Sequence, residues 1–259
     1  MIVEAIRSRD NPRIKHWSRL IADARVRRDL GQAMVEGIHL VEDCLGGGIE
    51  LECVLVSEEA REREDISRLL KKVSVAAYSV PQALMVRVLD VESPSGIAAV
   101  IRIPRSAGNL DEVRSAVYLD GVQDPGNVGA IIRTSAAFGV DTVVLGPGCA
   151  DPWSPKVLRS GMGGHFHLHV LQTEDLPAAV MRFGGTVLST VAQGGSNLRE
   201  CVFHSRIGWV FGNEGSGISP QVEKCCSGKV SIPMLGDTES LNVAACAAIC
   251  LYEHSRQAA

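Results

Sequence analysis

Six short runs rich in β-branched residues punctuate the second half of this chain, with helical stretches between them. The runs are AVYLDGV (116–122), TVVLGPG (142–148), HFHLHV (165–170), TVLST (186–190), IGWVFGN (207–213) and KVSIPM (229–234). Helical character fills Val128–Phe138, Pro155–Ser160, Pro220–Cys226 and Leu241–Glu253. Strand, helix, strand repeated this way predicts an α/β fold with a parallel sheet covered on both faces. In such sheets ligands sit outside the carboxyl ends of the strands. The loop leaving each strand is therefore the place to look for chemistry.

The first half mixes elements differently. Residues 11–30 read as a helix, with Asn11 as N-cap and Pro12 in the first turn. LECVLVS (51–57) and SGIAAVIRI (95–103) read as strands, and residues 58–72 as a charged helix. Ile103–Asp111 carries Pro104, Ser106, Gly108 and Asn109 between two apolar stretches and reads as a linker. At roughly 100–200 residues per domain, 259 residues make one large or two modest domains. The expected division is 1–107 and 108–259, with a small α/β domain first. Only 4% of residues are aromatic against 46% hydrophobic, which predicts an aliphatic core.

Charge and cysteines narrow the setting. Residues 1–107 carry sixteen basic and sixteen acidic side chains, leaving ten and fourteen for residues 108–259. Neither half is strongly basic, but residues 1–30 hold Arg7, Arg9, Arg13, Lys15, Arg19, Arg25, Arg27 and Arg28 against four acidic side chains. Such a segment can track a phosphate backbone, or it can be the solvated face of a helix. No run of about 18 apolar residues occurs, and Met1–Asp10 lacks a signal-peptide core. The eight cysteines make no C-x-x-C pair and several lie in apolar runs. They read as reduced core residues of a cytoplasmic protein.

Three segments after strands carry unusual chemistry. GVQDPGNVGAIIRTSAAFG (121–139) opens a helix from a turn cluster in which Asn127 or a neighbour can act as cap, and carries Arg133 further along. Alone, this would read as a capped helix with a surface arginine. GNEGSGI (212–218) has three glycines in six positions, so backbone approaches something closely or takes positive φ. Glu214 within it has no role in a bare turn. The spacing fits neither a dinucleotide fingerprint nor a phosphate loop, which needs a lysine. LGDTESLNVAACAAICLYE (235–253) leads through Ser240 and Asn242 into an alanine-rich helix. Ser and Asn at a helix start are common caps.

Together these segments resemble the SpoU/TrmH branch of the SPOUT RNA methyltransferases. The resemblance runs in order through DPGNVGAIIRTSAAFG, SPKVLRSGMGGHF (154–166), VFGNEGSGI and IPMLGDTESLNVAAC. NPRIKHWSRL and MVEGIHLVEDCL (34–45) resemble the N-terminal substrate-binding domain of ribosomal RNA members, a ribosomal-protein-like α/β fold. RSGMGGHF has extra glycine relative to many relatives.

The resemblance implies transfer of a methyl group from S-adenosyl-L-methionine to a ribose 2′-hydroxyl, with ribosomal RNA the expected substrate. A transfer RNA substrate and a non-catalytic RNA-binding assembly factor are the alternatives. It also implies a deep trefoil knot in the C-terminal domain, which no periodicity argument predicts, and a homodimer packed partly through the C-terminal helix. Matched residue by residue, Gly212, Ile232 and Leu241 fall on cofactor-binding positions, with Thr190, Asn213 and Met234 beside them. Asn127, Arg133, Glu214, Ser240 and Asn242 fall on catalytic positions. The chemistry asks for an oriented hydroxyl, donors for the developing oxyanion and a route for the proton. A guanidinium with a pKa near or above ~12.5 stays charged, so Arg133 is expected to orient ribose or phosphate and stabilise the alkoxide. Its part in taking the proton is left open.

No metal is expected. His165, His167 and His169 alternate and would share one strand face, but methyl transfer needs no metal. Cys246 and Cys250 read as small core residues.

Overall fold

The computed structural model describes residues 3–104, 110–203 and 206–258. The chain forms two compact units. One comprises Met1–Arg105 with Trp153–Phe166, the other Ser106–Pro152 with His167–Ala259. Residues 105–109, the middle of the expected linker, lie outside the described residues.

The first unit runs β1 (Val3–Ala5), α1 (Pro12–Ala22), α2 (Ala24–Leu30), β2 (Gln32–Glu36), α3 (Ile38–Gly46), β3 (Leu51–Ser57), α4 (Glu64–Leu70), β4 (Ala76–Val80), α5 (Gln82–Leu89) and β5 (Ile97–Arg102). Its mixed sheet has the order β1-β4-β3-β5-β2. β5 pairs antiparallel with β2 and β3, while β4 pairs parallel with β1 and β3.

The single helix expected over 11–30 is two. Asn11 caps α1 as anticipated, accepting from the Arg13 N–H at 2.8 Å. Asp23 then breaks the run: extended at φ −125°, it ends α1 and accepts from the Arg25 N–H to start α2. Arg27 folds back under this corner. The residue is 5% exposed, and its guanidinium donates to the carbonyls of Leu20 and Ile21, at 2.6 and 3.0 Å. These are groups that the last turn of α1 cannot satisfy internally. The helix expected over 58–72 shortens to α4, because residues 58–63 form turns, with Ser57 Oγ accepting from the Ala60 N–H.

The second unit runs β6 (Ser115–Asp120), α6 (Pro125–Ala137) and β7 (Thr142–Leu145). α7 (Pro155–Gly161) lies next in the chain but belongs to the first unit, where it packs against β2 and Arg159 pairs with Glu36 at 3.8 Å. The second unit continues with β8 (His169–Gln172), α8 (Leu176–Arg182), β9 (Thr186–Thr190), β10 (Ser196–Asn197), β11 (Ile207–Gly212), α9 (Pro220–Glu223), β12 (Gly228–Ser231) and α10 (Val243–Ala258). Its seven strands follow the order β10-β12-β9-β11-β6-β7-β8, and every pairing is parallel. All six residues of the central β11 are buried, as a strand covered on both faces requires.

The core is mostly Val, Ile, Leu and Ala, as composition implied, with a few aromatics set among them. Trp17, Trp209, Tyr118, Phe183 and Phe211 are among the largest fully buried side chains. Trp17 meets Tyr78 at 5.5 Å in the first unit, and Tyr118 meets Phe183 edge-on at 6.3 Å in the second. The few aromatics are concentrated inside, because each buries more apolar area than any aliphatic side chain.

The alternating histidine face does not form. Gly164–Phe166 is a short 3₁₀ turn and β8 starts only at His169. Among the described residues, no group of three or more His, Cys, Asp or Glu is placed to hold a metal ion. All eight cysteines are free. No described helix is long and apolar enough to cross a membrane.

Candidate active site

Because the second sheet is parallel throughout, β6, β9, β11 and β12 end at one edge. A cavity of about 420 Å³ opens there. Its walls come from the end of β9 and the residues after it (Thr190, Val191, Ala192), the end of β11 and its glycine loop (Gly212 to Gly215, and Gly217), β12 and the loop after it (Val230, Ile232, Met234) and the entry to α10 (Ser240 to Val243, and Cys246). Nine of the eleven site residues expected from sequence line it: Thr190, Gly212, Asn213, Glu214, Ile232, Met234, Ser240, Leu241 and Asn242.

The glycine loop is shaped by close approach. A Cβ on Gly212 would lie 2.3 Å from the Gly217 carbonyl carbon and 2.4 Å from the Ile218 nitrogen, so no larger residue fits. Asn213 and Gly217 exchange backbone hydrogen bonds at 3.0 Å across the loop. The Asn213 side chain is consumed in holding it. Its Oδ1 accepts from the N–H groups of Gly215 and Ser216, and its Nδ2 donates to the Gly121 carbonyl at 2.8 Å. Thr190 Oγ1 donates to the Val210 carbonyl at 2.9 Å, tying the end of β9 to β11.

A chain of side-chain hydrogen bonds links three of the expected catalytic residues. Asn242 Oδ1 accepts from the N–H groups of Ala244 and Ala245, at 2.9 and 3.2 Å, and so caps α10. Its Nδ2 donates to Asn127 Oδ1 at 2.9 Å. Asn127 Nδ2 donates in turn to Glu214 Oε1 at 2.9 Å. The cap of α6 is Asp124, which accepts from the Asn127 N–H at 2.8 Å. That leaves the Asn127 side chain to bridge. The N–H groups of Gln123 and Asp124 also face the Glu214 carboxylate, both at 3.4 Å. Partial burial pushes the Glu214 carboxyl up, but the Asn127 amide and these N–H groups outweigh it and hold the group below its ordinary value. Glu214 is therefore an ordered anion at the rim of the cavity.

Arg133 stands apart. It is exposed on α6, six residues after Asn127, and is not among the residues lining the cavity. At 100° per residue it projects from a different side of the helix than Asn127. α6 packs against α10, and Phe138 meets Tyr252 at 6.0 Å where they touch.

Sequence reasoning missed Val191, Ala192, Val230, Val243 and Cys246 as cavity residues, and Gly215 and Gly217 were read only as part of the glycine loop. Val191 and Ala192 were findable, since they directly follow the strand TVLST. Cys246 was not, because the face that α10 turns to the cavity depends on packing.

The cavity suits an adenosine-bearing cofactor. Val191, Val230, Ile232, Met234 and Leu241 offer apolar surface to a flat ring, while the glycine loop exposes backbone polar groups without side chains in the way. Glu214 adds a carboxylate for a cationic group. S-adenosylmethionine, when bound, supplies an electrophilic methyl group on a sulfonium.

The basic segment at the N-terminus is partly spent within the first unit. Arg27 is buried, Arg7 pairs with Glu58 at 3.0 Å, Lys15 pairs with Asp10 at 3.4 Å, and the Arg13 guanidinium lies 4.7 Å from the centre of the Tyr78 ring.

Comparison with known proteins agrees with this architecture. Residues 114–252 match the SpoU rRNA methylase family and residues 11–99 match the MRM3-like substrate-binding domain. The chain is 34% identical to the 23S rRNA (guanosine(2553)-2′-O)-methyltransferase of Bacillus subtilis, over 96% of this chain and 98% of the relative. Its fold resembles the SpoU methyltransferase AviRb of Streptomyces viridochromogenes, solved in complex with S-adenosylmethionine. The TM-score is 0.88 at 28% identity, covering 96% of this chain and 98% of that one. An S-adenosylmethionine-bound rRNA methyltransferase from Sinorhizobium meliloti gives a TM-score of 0.85 at 25% identity, covering 98% of each chain. With its catalytic-domain model matched over more than half its length, the chain belongs to the SpoU rRNA methylase family.

Proposed function

We propose that this protein is an S-adenosyl-L-methionine-dependent methyltransferase that modifies a ribose 2′-hydroxyl in ribosomal RNA. The observation that carries the reading is the convergence of the loops after β9, β11 and β12 on one cavity, with the Asn242–Asn127–Glu214 chain at its rim. Relatives aligned over nearly the full length are named for this reaction on 23S rRNA, and two of the similar structures hold the cofactor.

In this reading Gly212, Ile232 and Leu241 bind the cofactor chiefly through backbone groups, with Thr190, Asn213 and Met234 completing the walls. Asn213 acts by fixing the glycine loop. Asn127 and Asn242 hold Glu214 in one orientation at the rim, where it and Ser240 meet the incoming ribose. Arg133, exposed on α6, takes the ribose or its 3′-phosphate and stabilises the negative charge that develops on the ribose oxygen. The first unit supplies RNA contacts through Arg9, Arg19, Arg25 and Arg28, which are all exposed.

The reading extends to a cytoplasmic homodimer. Ile249 and Tyr252, 40% and 58% exposed, leave apolar surface of α10 uncovered in the single chain, suited to a second copy. A trefoil knot belongs to the same reading.

Calorimetric titration with S-adenosylmethionine tests the cofactor assignment. Saturable binding at one site per chain, weakened by Leu241→Asp, is expected. Absence of binding would favour a non-catalytic RNA-binding factor instead.

A further inference from the structure

Asp120 has no part in the chemistry above and is not among the residues lining the cavity, yet it holds the loop that lines it. β6 ends at Asp120, in register with Gly212, the last residue of β11. The chain leaving β11 runs out through Glu214 and Gly215 and comes back through Gly217 and Ile218 to Ser219, just before α9. The outgoing limb is tied to the residue after β6 by the Asn213 amide, which donates to the Gly121 carbonyl at 2.8 Å. The returning limb is tied to the end of β6 itself, because the Ser219 N–H donates to Asp120 Oδ2 at 2.7 Å. Among the described residues, the Ser219 side chain makes no capping bond to α9; a carboxylate reached from another strand steadies this helix start instead.

We propose that Asp120 is a positioning residue for the cofactor, acting on the cavity wall through the returning limb of the glycine loop. This assignment rests on the cofactor reading of the cavity. Gly212 has only backbone beside it, with Gly217 and Ile218 atoms at 2.3 and 2.4 Å from where a Cβ would lie. The returning limb is thus packed on the outgoing one with no side chain between them, and Gly212 and Gly217 both line the cavity. A shift at Ser219 passes directly into both. Ile218 also packs against the apolar core of the second unit, but apolar contact is non-directional and leaves the limb free to slide. A bond from a backbone N–H to a carboxylate is directional and roughly twice as strong as one between neutral groups, so it sets where the limb rests. A loop that offers backbone groups to a cofactor gains affinity by holding them in place beforehand. Asp141 supplies the same chemistry at the other end of β6, where its carboxylate accepts from the N–H groups of Arg114 and Ser115 at 2.7 and 3.0 Å. None of these three residues lines the cavity, which makes Asp141 the matched control.

The test compares Asp120→Ala, Asp120→Asn and Asp141→Ala in the full-length protein, by calorimetric titration with S-adenosylhomocysteine beside urea melts. Asp120→Ala should raise the Kd about tenfold, the scale of one hydrogen bond to a charged group. Asp120→Asn keeps an acceptor oxygen of the same reach and should bind nearly as the wild type does. Asp141→Ala should lose stability and leave the Kd unchanged. A Kd unmoved by Asp120→Ala, or raised as much by Asp120→Asn or by Asp141→Ala, would overturn this proposal alone. Amide hydrogen exchange on the wild type needs no variant to fold. Saturating S-adenosylhomocysteine should slow exchange at Ser219, because a ligand that requires the ordered loop stabilises it by mass action, and should leave Ser115 unaltered. Exchange at Ser219 unmoved while calorimetry shows the ligand bound would also overturn the proposal. A wild-type chain that binds no S-adenosylhomocysteine would overturn the reading beneath it.

Discussion

Asn127 joins two parts of the site that sequence order keeps far apart, taking a hydrogen bond from Asn242 and giving one to Glu214. Its own N–H is satisfied by Asp124, so its side chain is not needed to start α6. Asn127→Ala should therefore leave stability nearly unchanged while lowering methyl transfer by about 10–100-fold, the loss typical of a misplaced catalytic group. Single-turnover kinetics beside a urea melt would show the contrast. Asn242→Ala should differ, because Asn242 also caps α10. Loss of a cap costs about 1 kcal/mol, so that variant should lose both rate and stability. Glu214 gives a pH signature. Its carboxyl sits below the ordinary value of 4.5, so its contribution is complete above that pH and disappears as the pH falls through the lower folded-state value. Melting temperatures of wild type and Glu214→Gln should approach each other on acidification below 4.5 and separate above it. A constant gap would contradict the assignment.

The loop after β11 shows how strictly one element can be specified. A methyl group at Gly212 would run into backbone at 2.3 Å, and backbone cannot yield as a flexible side chain can. Gly212→Ala should cost about 1–3 kcal/mol, as overpacking does, and weaken cofactor binding measured by calorimetry. This loop was legible in sequence because three glycines around a carboxylate have few purposes. So were the parallel strands of the second unit, whose β-branched runs alternate with helical segments. The first unit was harder. Gln32–Glu36 and Ala76–Val80 are strands that local pattern did not announce, since their partners, β5 for the one and β1 and β3 for the other, lie far away in sequence. The break at Asp23 was hidden for a different reason. Apolar spacing continues across it, and only the buried Arg27 shows why the chain turns. Among site residues the loops were readable, but the reach of each side chain was not. The spacing of Asn127 and Arg133 puts them on different sides of α6, but it does not reveal which of the two joins the cavity rim.

The two compact units are not two consecutive stretches of chain. Trp153–Phe166 leaves the second sheet after β7 and completes the core of the first unit. Leu158 is 1% exposed there, beside Met34, Leu40 and Leu89. Leu158→Ala should cost about 2–5 kcal/mol, and hydrogen exchange should show protection lost first in β2 rather than in β7. Loss confined to β7 would contradict this membership. The proposed dimer makes a separate prediction: sedimentation at micromolar concentration should give a particle of two chains, and a monomer would exclude it. The central claim is that one cavity in the second unit delivers a methyl group to a ribose oxygen. Incubating the protein with ribosomal RNA and tritiated S-adenosylmethionine, then hydrolysing the RNA in alkali, tests it directly, because a 2′-O-methyl group removes the nucleophile that alkali needs. Tritium should be recovered in an alkali-resistant dinucleotide, and Arg133→Ala should abolish it; label in ordinary mononucleotides, on a base, or no label at all would contradict the account.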